Sequence, residues 1–150
     1  MAKFKFRLAT LRKIREATRD QRRAHLAEAY RAGEILQQQS DQIEYELSNL
    51  REECRRASGP GPVDVDRLTQ AHLAELVLNA QKQHLGRQHE AVAAEIDLRR
   101  EALVHAAREV RVLEKLEEKQ AARHQQPEDR RQIKQLDEVA GRRAAGEDVS

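Results

Sequence analysis

Tryptophan is absent from this chain, and aromatic residues make up only 3% of its 150 positions. With 36% of residues charged, that shortage argues against a thick globular core, because large aromatic side chains normally supply much of its buried area. Cys54 is the sole cysteine, so an internal disulfide is excluded and a reducing compartment is the natural setting. No uninterrupted apolar run approaches the ~20 residues that span a bilayer. The opening Met1-Ala2-Lys3-Phe4-Lys5-Phe6 is basic but leads into no apolar stretch, so no secretory leader is expected. The glycines, Gly33, Gly59, Gly61, Gly86, Gly141 and Gly146, include no Gly-Lys-Ser/Thr. A phosphate-cradling loop is thereby excluded, and nucleotide hydrolysis with it.

What the chain does have is apolar periodicity. Leu26, Ala29, Gly33, Leu36, Ser40, Ile43, Leu47, Leu50, Cys54 and Ala57 step by three and four residues without a miss. A second run, Leu85, His89, Val92, Ile96, Arg99, Leu103, Ala106, Val110 and Leu113, does the same. Stripes that advance about 3.5 residues per step belong to helices that bury one narrow seam against another helix. Such register also argues against disorder, the usual state of so charged a chain.

The two runs are separated by Ser58-Gly59-Pro60-Gly61-Pro62, which stops a helix firmly. The first helix is expected over about 6–57, opened by Leu8, Leu11, Ile14 and Ala17, with a weak stretch at Thr18–Arg23 that suggests a local change of phase. A loop at 58–64 follows, and Asp64 or Asp66 caps a second helix over about 65–126. That helix passes through Leu68, Leu73, Leu76 and Ala80 and is interrupted at Pro127. Beyond it Glu128 to Val139 are expected as a short third helix or a continuation, within a tail over 127–150 that is partly helical or disordered. The predicted fold is all-α: a long two-helix antiparallel coiled-coil hairpin over residues 1–126, with helices of roughly 50 and 60 residues, or ~75–90 Å. Folding symmetrically about Gly61 sets Leu50 near His72, Ile43 opposite Asn79 and Ala80, and Leu11 opposite Arg111. So thin a seam also leaves self-association open, including a four-helix dimer.

Two helices offer no concave, water-excluding pocket, so no Ser–His–Asp arrangement can be defended. His89-Glu90 begins like His-Glu-x-x-His, but Ala93 stands where the second histidine is required. No catalytic residue, metal site or cofactor is expected.

Charge is distributed unevenly. Lys3, Lys5, Arg7, Arg12, Lys13, Arg15, Arg19, Arg22 and Arg23 face only Glu16 and Asp20 at one end, whereas the stretch from Glu34 to Glu53 is acidic. The basic run is either a solvated helical face or a surface for acidic protein, anionic lipid or nucleic acid. The hairpin brings Phe4, Leu8 and Leu11 beside Val110, Leu113, Leu116 and Glu118, so sequence-distant segments share one tip. Phe4 and Phe6 either staple the N-terminus onto the hairpin or meet a partner, and aromatic scarcity favours the partner. Leu113 and Leu116 can serve both the seam and docking.

The same segments carry a family resemblance. The stretch from Phe4 to Glu16, FKFRLATLRKIRE, resembles the opening of the flagellar export family FliJ, of the form F-x-F-x-L-x-x-L followed by basic residues and a Glu. The stretch from Ala107 to Lys119 is similar to that family's second characteristic segment, and Leu136-Asp137-Glu138-Val139-Ala140 to its closing one. The resemblance implies an antiparallel coiled coil of the type III export apparatus, similar to the central stalk of rotary ATPases. It implies association with the hexameric export ATPase, with an export gate membrane protein and with export chaperones. The expected location is cytoplasmic, peripheral to the inner membrane at the flagellar basal body. On this reading Phe4, Phe6, Leu8, Leu11, Leu113 and Leu116 enter the ATPase ring, while Arg7, Arg12, Lys13 and Arg15 steer toward acidic loops. Leu73 and Leu76 are candidates for the gate or chaperone contact.

Three other readings compete: a generic coiled-coil scaffold, an injectisome stalk, and a basic-zipper DNA-binding protein. Gly33 and Ser40 at seam positions, the missing Asn-centred base-reading motif and the long returning helix weigh against the last. No nucleic-acid partner is expected.

Overall fold

The computed structural model describes residues 3–147; Met1, Ala2 and the last three residues of the expected tail lie outside the described residues. It is an all-α hairpin of two helices, α1 over Ala9–Ala57 and α2 over Val65–Glu147. The loop between them follows from local chemistry. Arg55 and Arg56 in the last turn of α1 face the negative end of its dipole. The Ser58 backbone N–H and hydroxyl both donate to the Cys54 carbonyl, at 3.0 and 2.8 Å. Gly61 turns the chain at φ 142°, a conformation side chains resist. Asp64 then caps α2, its Oδ1 accepting from the Arg67 N–H at 3.3 Å, and Asp66 lies in the favourable first turn.

Both apolar stripes form the seam. Every residue of each run is buried or half-buried, and Leu47 and Val110 are fully enclosed, at 0% and 1% exposure. Two departures from the expected seam share one cause. Leu73, Leu76 and Ala80 are exposed, whereas Leu68, Ala71 and Leu78 are half-buried. Carrying the 3.5-residue frame back from Leu85 selects Leu78 and Ala71, so frame outranks side-chain size. Ile14 and Ala17 are likewise exposed, while Leu8, Arg12, Arg15 and Arg19 are half-buried. Arg12 and Arg19 stand whole heptads before Leu26, although Asp20 to Ala24 between are all exposed; arginine stems, apolar along most of their length, take the inward positions.

A third departure concerns Pro127. The helix is not interrupted there; α2 continues through it to Glu147. Proline removes one N–H, leaving the Arg123 carbonyl without its helical donor. From Ala122 to Gly146 every residue is exposed, so water can satisfy that carbonyl.

The chain divides into two compact units, residues 3–20 with 104–147, and Gln21–Leu103. In the second, Ile43, Leu47 and Leu85 form a cluster, with Leu36 and Leu78 packed on it. A Cβ built on Gly33 would stand 3.7 Å from Val92 Cγ1, so the helices come close at that point. At the seam, Arg99 Nη1 donates to the His25 carbonyl at 2.6 Å. Arg100 Nη2 donates to the Tyr30 hydroxyl at 2.6 Å. Lys82 pairs with Glu44 across the helices, and its ammonium holds the Glu44 carboxyl below the usual range. These pairings sit roughly one helical turn further along α2 than a symmetrical fold about Gly61 requires. Ile43 clusters with Leu85, beyond the Asn79 and Ala80 that a symmetrical fold sets opposite it, because interlocking seam residues choose the register and the irregular loop absorbs the offset.

Gly86 offers a direct test of the helix physics. It lies inside α2, and a Cβ added there would meet nothing within 4 Å. Gly86→Ala is expected to stabilise the chain by about 0.5–1 kcal/mol through helix propensity alone. Urea denaturation followed by circular dichroism would show it as a raised midpoint with unchanged slope.

Candidate partner-binding site

The tip residues singled out in the sequence all fall in the unit made of residues 3–20 and 104–147. The first turn of α1 begins after Phe6, whose carbonyl accepts from the Ala9 N–H at 3.1 Å. This turn sets the Phe6 side chain inward, 8% exposed, in a unit whose other buried residues are Ala106, Val110 and Leu113. Phe4, Leu8, Leu11 and Leu116 are half-buried around this core. Phe4 leans on His124, ring centroids 5.8 Å apart at 53°, a neighbour that a fold symmetrical about Gly61 does not supply.

Burial corrects the expected division of labour. Phe6 and Leu113, at 8% exposure each, have almost no surface to offer a partner; they hold the unit together. Phe4, Leu8, Leu11 and Leu116 keep part of their surface. Ile14, 55% exposed, adds an apolar group that hydrophobicity alone assigns to the seam. Its signal in the sequence is its place out of the heptad frame, between Leu11 and Arg15.

The four basic residues also separate into two kinds. Arg12 donates from Nη1 to Glu117, and its Nε lies 3.5 Å from Glu16. Arg15 pairs with Glu109 at 3.1 Å. Both are half-buried, so their charge is largely spent within the unit, fixing α1 against α2. Arg7 and Lys13 are exposed and, among the described residues, have no ion-pair partner. Lys3 and Lys5 are exposed beside them in sequence. The free positive charge of this segment therefore resides in Lys3, Lys5, Arg7 and Lys13.

Leu73 and Leu76 lie in the other unit, 57% and 53% exposed, with Val77 beside them at 57%. Val77 also lines a groove of about 970 Å³ with Ile35, Ala80 and His84, floored by Ile43 and Leu85. Glutamines complete its walls, and no charged residue lines it. The surface is thus apolar and neutral in a chain that is elsewhere densely charged. Leu73 and Leu76 do not line the groove, which the sequence does not reveal because it requires both helices in register.

Among the described residues no group of three His, Cys, Asp or Glu is placed to hold a metal ion. No described helix is long and apolar enough to cross a membrane.

The family model described as "Flagellar FliJ protein" matches residues 4–148 of the chain. No curated protein and no solved structure matches the chain.

Proposed function

Because the chain belongs to the FliJ family of flagellar export proteins, we propose that it is a coiled-coil stalk of the flagellar type III export apparatus. In this role it binds the hexameric export ATPase, promotes its assembly and activity, and links it to the export gate and to export chaperones. It acts without catalysing a reaction itself, in the cytoplasm and peripheral to the inner membrane at the basal body.

The observation that carries this reading is the composition of the unit joining residues 3–20 to 104–147. Its interior is closed by Phe6, Ala106, Val110 and Leu113, and ion pairs at Arg12 and Arg15 fix the two helices. Outside, unpaired Arg7 and Lys13 and partly exposed Phe4, Leu8, Leu11 and Leu116 remain available. Charge steers association and register, while apolar anchors supply most of the affinity. Leu73, Leu76 and the neutral groove beside Val77 form a second surface, which suits the gate or a chaperone.

The test is titration of the purified export ATPase with the chain. Arg7→Glu with Lys13→Glu is expected to weaken half-maximal stimulation about tenfold, mainly through slower association and with loss of salt dependence. Helicity should not change, since both residues are exposed. Stimulation that is unaltered in the double variant would count against this assignment.

A further inference from the structure

The face of α2 turned away from the seam is predominantly cationic over some seven turns. From Arg108 the cations follow at three- and four-residue steps: Arg111, Lys115, Lys119 and Arg123, then, after Gln126, Arg130 and Lys134. That spacing averages close to the helical repeat, so they form one band roughly 39 Å long that stays on about 140° of the helix circumference. Ala106, Val110 and Leu113 are buried on the opposite side, and all of the cations are exposed. Arg111 reaches Glu114 at 3.5 Å; among the described residues the others have no ion-pair partner. Asp129 is the one carboxylate within the arc the cations span, and Glu101 and Asp137 mark the ends of the band.

Two further features specify what such a face suits. Around Pro127, Arg123, Arg130, Arg131 and Lys134 line a depression of about 470 Å³ that contains no carboxylate. Val112 and Ile133, 66% and 57% exposed, stand among the cations on the same side. We propose that this face lies on the anionic headgroups of a phospholipid bilayer. Long Lys and Arg side chains let a band confined to one side of a helix reach a single plane together, and each Lys or Arg held near an anionic leaflet contributes about fivefold to partitioning. The exposed valine and isoleucine then enter the boundary between headgroups and acyl chains, as the apolar residues of interfacial helices do.

Nucleic acid fits the same residues less well. Duplex phosphates wind along a groove, so a straight helix meets them over only a few of these turns. Single strands are held largely by aromatic stacking, and no Phe, Tyr or Trp occurs between Arg108 and Lys134. Exposed apolar groups gain nothing from phosphates. The inference goes beyond the export-stalk reading and does not depend on it.

The experiment is flotation of the full chain with vesicles of phosphatidylcholine alone, or of phosphatidylcholine mixed with phosphatidylglycerol. Binding is expected only with phosphatidylglycerol and should weaken as salt is raised. Arg123→Gln, Arg130→Gln and Lys134→Gln together should lower partitioning about a hundredfold. Arg51→Gln, Arg55→Gln and Arg56→Gln make the same change in net charge on α1 and should alter it less than about twofold. All six residues are exposed, and circular dichroism would confirm that both variants keep their helicity. Absence of phosphatidylglycerol-dependent binding, or equal losses in the two triple variants, would overturn the proposal. So would displacement of the vesicles by duplex DNA that loses its own binding in the first triple variant, which would assign the face to nucleic acid.

Discussion

Leu47→Ala is expected to lower the stability of the chain by about 3 kcal/mol, seen as a reduced urea midpoint in circular dichroism. Leu47 is fully buried, and it joins Ile43 and Leu85 in a cluster bordered by Leu36 and Leu78. Truncation removes the transfer free energy of the missing isopropyl group and leaves a gap that neighbours on two rigid helices cannot collapse into. Tyr45→Ala is the comparator. Its side chain is larger, but Tyr45 is 64% exposed, so its removal should cost less than about 0.5 kcal/mol. Equal effects at the two positions would mean that the seam is not where the 3.5-residue frame puts it.

That frame is also what makes the fold legible in the sequence. The run from Leu26 to Ala57 and the run from Leu85 to Leu113 mark the buried face by spacing alone, because a helix with one partner exposes everything off a single stripe. The stop at Gly59-Pro60-Gly61-Pro62 and the cap at Asp64 are legible for the same reason: each expresses a local backbone requirement. Legibility fails where side-chain character and frame disagree. Leu73, Leu76 and Ile14 look like core and are exposed, whereas Arg12, Arg15 and Arg19 look like surface and occupy seam positions. Hydrophobicity alone misassigns both sets; their numbering relative to Leu85 and Leu26 assigns them correctly.

Register and the course of α2 are less accessible. The partner of Glu44 is Lys82, a choice made jointly by many interlocking contacts and not by the midpoint of the loop. The continuation of α2 through Pro127 does not follow from the proline, whose cost depends on whether the freed carbonyl finds a donor. There the helix is exposed on every side, so water serves. For the candidate site, the sequence names segments but does not tell which of their residues face outward. Burial withdraws Phe6 and Leu113 from the surface, and Glu109 and Glu117 withdraw most of the charge of Arg15 and Arg12.

Those withdrawals lead to the second large effect, at Val110. It is 1% exposed and sits with Ala106 and Leu113 in the unit that gathers both ends of the described chain. A carboxylate there has no cation reserved for it, since Arg12 and Arg15 already hold Glu117 and Glu109. Val110→Asp should therefore destabilise this unit by more than about 4 kcal/mol at neutral pH. Part of that loss is expected to be regained on acidification, because protonation removes the buried charge. Val112→Asp tests the same chemistry two residues away, where the side chain is 66% exposed, and should leave folding almost unchanged. Hydrogen exchange of the amides in residues 104–121 would separate the two, with protection lost in the first variant and kept in the second. If residues 3–20 and 104–121 must be held together to present Arg7, Lys13 and Phe4, stimulation of the export ATPase disappears with Val110→Asp at a temperature where the rest of the helical signal persists. An ATPase stimulated equally by a chain whose amides in this unit exchange freely would place the docking surface elsewhere.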